Sequence, residues 1–102
     1  MNLLALFFAG AFACNALPHL VAGLQGQPFP TPFARFRGAI DSSPLLNFVW
    51  GFANTLIAAL LWSPRRPALG LNAGCVALLA GALLLGIGLA LHFGRLRRGG
   101  GR

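Results

Sequence analysis

The residues with most to offer chemically are Asn15, His19, Asn47, Asn54 and His92, each set within an otherwise apolar run. Asn15 and His19 are four apart and therefore share a helix face. Pro18 between them removes an N–H that would have bonded the Cys14 carbonyl, so the turn offers an unpaired backbone acceptor as well. At 100° per residue, Asn47, Gly51, Asn54 and Ala58 fall on one narrow stripe with Thr55 beside it, whereas Leu46, Phe48, Val49, Leu56, Ile57 and Leu60 cover the other directions. That stripe is expected to face protein. Two kinds of chemistry follow. The amides and imidazoles can hydrogen-bond across helices and set their register. Alternatively they form a site for a lipid headgroup, a quinone-like ring or another small polar ligand, with His19 as the group able to donate, accept or titrate. Haem ligation by His19 and His92 would need two histidines at similar depth on separate helices, and the sequence offers nothing further in its favour.

Other chemistries are not expected. Asp41 is the only carboxylate residue, so no acid/base pair can form, and no Ser-His-Asp arrangement or lysine-bearing phosphate loop is present. The chain reads as neither an enzyme nor a metal or cofactor protein. A pI near 12 raises nucleic acid as a partner. However, the eight arginines are split among two loops and a tail, without an aromatic ladder or zinc-ligand spacing. Anionic lipid headgroups suit them better, with Arg35 and Arg37 flanking Phe36 in the first loop and Arg95, Arg97 and Arg98 in the tail. Cys14 and Cys75 are expected near opposite ends of the bilayer normal, beyond disulfide reach, as small packing residues.

The elements that must position these groups are membrane spans. Of 102 residues, 57% are hydrophobic and only 9% charged, and all eight arginines lie outside the three apolar runs. The fold class is therefore all-α: one membrane domain over 1–102, a bundle of three transmembrane helices with a Phe/Pro-rich interfacial loop. The first helix is expected over 2–23. A secretory signal is the competing reading, because Ala11-Phe12-Ala13 precedes Cys14, but a basic n-region is missing and the apolar pattern continues past the would-be cut. Prolines 28, 30 and 32 exclude regular helix over 29–33, so the 24–43 loop is expected at the headgroups or packed against the helices. Ser43-Pro44 is an N-cap followed by proline at the first helical position and opens a helix over 44–62, with Trp62 as interfacial anchor and Ser63-Pro-Arg-Arg-Pro67 as its stop. Asn72 caps a third helix over 73–93, followed by a basic tail over 94–102. Gly74, Ala77, Gly81 and Gly88 form one small-residue stripe on it and Ala82, Gly86 and Ala90 another, which predicts that this helix is sandwiched between two neighbours. Six arginines on the side of the first loop and tail against two in the second loop place the N-terminus outside and the C-terminus in the cytoplasm.

The composite pattern Asn15-x-x-Pro18-His19, Gly23-x-x-Gly26, Phe29-Pro-Thr-Pro-Phe33, Ser42-Ser-Pro44 and Asn47-x-x-Trp50-Gly51-x-x-Asn54 resembles a group of small bacterial membrane proteins of unassigned function. The resemblance covers roughly the first 60 residues and implies a bundle of about three spans in a bacterial inner membrane, without a substrate or cofactor. The expected role is that of a structural or accessory interaction subunit, packing with itself or with a larger membrane complex. Small-ligand binding near His19 is the alternative.

Overall fold

The computed structural model describes residues 2–99, with the side chains of Arg35 and of residues 97–99 outside that description. Four helices follow one another: α1 (Leu3–Leu24), α2 (Pro32–Phe36), α3 (Pro44–Trp62) and α4 (Ala73–Gly99). Three of them, α1, α3 and the Ala73–Leu96 part of α4, are long and apolar enough to cross a membrane. The ends are set by local chemistry. The Asn2 side chain accepts from the Ala5 N–H, Ser43 accepts from Leu46 N–H ahead of Pro44, and Asn72 accepts from Cys75 N–H at 2.9 Å. Gly26, at φ +69°, turns the chain back after α1, and Gln27 N–H reaches the Ala22 carbonyl at 2.8 Å.

The packing is inverted relative to a water-soluble protein. Apart from Leu6, the largest fully buried side chains are Asn47, Asn54 and Ser42, and the rest of the apolar interior is alanine. Leucines, phenylalanines and valines point outward from all three long helices, as at Leu4 (67% exposed), Leu60 (74%) and Leu79 (63%). Such a surface has no aqueous rationale and fits hydrocarbon, where nothing is gained by hiding a leucine and much is gained by pairing an amide.

α1 is the central helix. It packs against α3 on one side and α4 on the other, and α3 and α4 do not pack against each other. The α1–α4 contact is parallel and backbone-close: a Cβ on Gly10 would fall on the Leu78 carbonyl oxygen, and one on Gly81 would fall on that of Phe7. The sandwich expected around the third span is therefore found around α1 instead. Both stripes of α4 explain why: Gly81 meets Phe7 and Ala11, Gly86 meets Cys14, and Gly88 faces open space. It is α1 that carries small residues in two directions, with Ala5, Ala9 and Gly10 among its buried positions.

Two further boundaries differ from expectation. The loop contains α2, because Pro32 stands at the first helical position where it lacks nothing, behind Thr31, whose hydroxyl accepts from Ala34 N–H at 3.3 Å. The last helix runs past Phe93 to Gly99, since Gly94 alone does not break a helix when arginine and leucine follow and no proline does. The 94–99 part of the basic tail is thus helical, and Arg102 lies outside the described residues. Cys14 and Cys75 are both free, the first near Gly86 in mid-bundle and the second bonded to the Ala68 carbonyl at the other end.

Candidate functional site

Two polar rungs join α1 to α3. His19 Nδ1 meets Asn47 Oδ1 at 2.8 Å, and one turn earlier on α1 the Asn15 amide donates to Asn54 Oδ1 at 2.9 Å. The rising positions on α1 pair with falling positions on α3, so the two helices are antiparallel. The stripe that holds the α3 partners is the buried one, Asn47, Gly51, Asn54 and Ala58. Gly51 permits the approach: a Cβ there would press on the Leu20 backbone and side chain.

Asn47 also anchors the loop. Its carboxamide donates to the carbonyls of Phe29 (2.9 Å), Ser43 (3.1 Å) and Ser42 (3.2 Å). Phe29 and Ser42 in turn exchange backbone hydrogen bonds as an isolated antiparallel bridge, and the Thr31 and Ser42 hydroxyls bond across it. Irregular backbone beside a membrane is thereby satisfied internally. The rings follow: Phe29 packs edge-on to His19 at 5.5 Å and against Phe93 of α4 at 4.6 Å, while Phe33 of α2 packs edge-on to Trp50 at 5.1 Å.

Because α3 and α4 both lean on α1 without touching each other, a space opens between them at this end and the loop covers it. The resulting cavity is about 800 Å³. Asn15 and His19 of α1 form its polar side, Trp50 of α3 one wall, Leu89, His92 and Phe93 of α4 the other, and Thr31, Phe36 and Ile40 of the loop region its cover. The volume lies within the range of small-molecule sites, which are mostly apolar with a few placed polar groups.

Of the sequence candidates, Asn15, His19, Asn47 and Asn54 form the two rungs, and the first two also reach the cavity. His92 joins neither rung. It is exposed, stacked obliquely on Phe93 at 5.1 Å, and it meets the others only as part of the cavity lining. Among the headgroup candidates, Arg37 and Arg95 are exposed at the cavity end of the bundle, and the side chains of Arg35, Arg97 and Arg98 fall outside the described residues. Trp50 and Phe93 were not legible as cavity walls. The one available signal was Trp50 standing four residues before Asn54, whose amide donates to the Trp50 carbonyl at 2.8 Å. Comparison with models of protein families, with curated proteins and with solved structures returns no match.

Proposed function

We propose that this multi-span membrane protein binds a small, largely apolar ligand in the cavity beneath the Phe/Pro loop. The observation that supports this is the convergence of Asn15, His19 and His92 on one aromatic-walled space of about 800 Å³ in a chain whose interior is otherwise closed by alanine and glycine. Filling the space tests the idea. Leu89→Trp places an indole in the cavity from α4 and should remove a small molecule that accompanies the wild type through gentle purification, as read by native mass spectrometry, without lowering the melting temperature. A wild type that carries no such molecule, or a variant that carries it equally, would defeat the proposal.

A second reading, an accessory subunit of a larger assembly, is favoured by the shallow apolar groove on α4, whose residues Leu79, Leu83, Ile87 and Ala90 are exposed. Ala90→Leu, at an exposed position of that groove, should then abolish cross-links to a partner while the monomer stays folded; unchanged cross-linking counts against it. The proposed setting is a bacterial inner membrane with the N-terminus outside and the cavity end, with Arg37 and Arg95, at the cytoplasmic face. A cysteine placed at Gly100 should be labelled only after the membrane is permeabilised. Labelling from outside would reverse the orientation.

A further inference from the structure

Backbone carbonyls can only accept hydrogen bonds, and this fixes which way the buried amides face. The Asn47 end that touches the carbonyls of Phe29, Ser42 and Ser43 must be its NH₂ group, so its oxygen faces His19. His19 Nδ1 must then carry the proton and donate to that oxygen. In the neutral ring Nε2 is left as a lone pair, and it has no hydrogen-bonding partner among the described residues. The same logic applies to the second rung. Asn54 donates to the Trp50 carbonyl, its oxygen faces Asn15, and Asn15 donates one N–H to it. Asn15 keeps its own oxygen and one N–H, and can meet either a donor or an acceptor.

The remaining polar groups of the cavity do not alter this balance. The Thr31 hydroxyl is engaged with Ser42 and with Ala34 N–H. The Trp50 indole N–H has no acceptor among the described residues and presents almost no accessible surface to the cavity. His92 has no hydrogen-bond partner among the described residues and can serve either role. The group that discriminates is therefore His19, an acceptor held in one tautomer by a network of backbone carbonyls.

We propose that the cavity takes an uncharged aromatic ring that brings a hydroxyl to His19 Nε2, a phenol or hydroquinone, in preference to the ether or carbonyl form of the same ring. This builds on the cavity being a ligand site. The ring is called for by Trp50, Phe36 and Phe93, and the absence of charge by a lining that holds no carboxylate and no arginine among the described residues. An ammonium donor would meet the same lone pair but would have to approach a chain of net charge +7. An ether or quinone oxygen offers His19 nothing, and its ring would leave the lone pair buried and unpaired.

The test uses a redox-silent pair, a long-chain 4-alkylphenol and its methyl ether, added to the full chain in lipid nanodiscs. Binding is read from Trp50 fluorescence in a Trp62→Phe background. The phenol should bind about tenfold or more tightly than the ether, the loss expected when one buried acceptor goes unpaired. His19→Phe, which keeps a ring against Phe29 and Trp50 but has no Nε2, should bring the two affinities together. Because that variant also orphans the Asn47 oxygen, the tautomer is measured independently in wild type by ¹⁵N NMR of the imidazole, where Nδ1 should be the proton-bearing nitrogen. Equal binding of phenol and ether within the cavity would overturn the hydroxyl preference and leave the ligand site standing. No binding of either would sink both, as would phenol binding undiminished by Leu89→Trp, which would mark it as partition into lipid. A proton on Nε2 would overturn the acceptor assignment whatever binds.

Discussion

α1 has two working faces and they solve the same problem differently. Toward α3 it uses side-chain hydrogen bonds, the His19–Asn47 and Asn15–Asn54 rungs. Toward α4 it uses almost no side chain at all, with Gly10 and Gly81 each set against the opposite helix's carbonyl. In hydrocarbon there is no apolar driving force to bring helices together, so association rests either on polar pairing or on backbone proximity with its many dispersion contacts and Cα–H···O contacts. The polar interface specifies register and leaves polar atoms free to face a cavity. The glycine interface specifies distance and leaves nothing over.

The largest effect should come from the glycine face, because backbone cannot give way. Gly81→Leu is expected to separate α1 from α4 and lower stability by more than about 3 kcal/mol, at or beyond the upper end of ordinary overpacking. Gly88→Leu on the same helix, where a side chain meets open space, should be near neutral. Thermal unfolding in one detergent would compare them, and equal melting temperatures for both would show that the close approach is not what holds α4.

A smaller loss is expected at the loop-anchoring rung. Asn47→Leu leaves the Phe29, Ser42 and Ser43 carbonyls and the His19 N–H without their shared partner, a loss of about 2 to 4 kcal/mol. The change should fall on the loop and α3 and leave the α1–α4 contact intact. Amide hydrogen exchange resolves this: protection should drop at Phe29 and Ser42 and stay at Gly10 and Gly81. Uniform loss across the molecule would mean that the two interfaces are one cooperative unit. Smallest of all should be Asn15→Leu, which removes a single side-chain pair and, by the average for such bonds between membrane helices, destabilises by about 1 kcal/mol. A fall as large as that of Asn47→Leu would contradict the division of labour between the two rungs.

Much of this was legible because it is local or periodic. Ser43-Pro44 announces its helix by cap chemistry, and the Asn47, Gly51, Asn54, Ala58 stripe needs only the helical period to be placed on one face, the face that is buried. Asn15 and His19 share a side for the same reason. What could not be read is pairing across space. Nothing near Asn47 in sequence says that its amide will reach the Phe29 carbonyl, 18 residues earlier. The sandwich is expected around α4 and found around α1 because stripes of glycine and alanine reveal that a face is close to something without saying to what, and α1 carries its small residues in a less regular pattern than α4. α2 was hidden by a general truth about proline that fails at one place, the first position of a helix. His92 shares with the other polar residues only its place in an apolar run, which fixes neither its azimuth nor its partner.

The carbonyl contacts at Gly10 and Gly81 also bear on how such a chain can change over generations. Every substitution at either position adds at least one carbon where a peptide oxygen of the facing helix already lies. The lipid-facing leucines and phenylalanines, by contrast, can be exchanged for one another with little effect on the fold. Descendants of this sequence would therefore drift fastest in the bulky residues that dominate its hydropathy profile. They would hold on to two glycines that contribute almost nothing to it, and inheritance of the fold would be easier to follow through its smallest residues than through its largest.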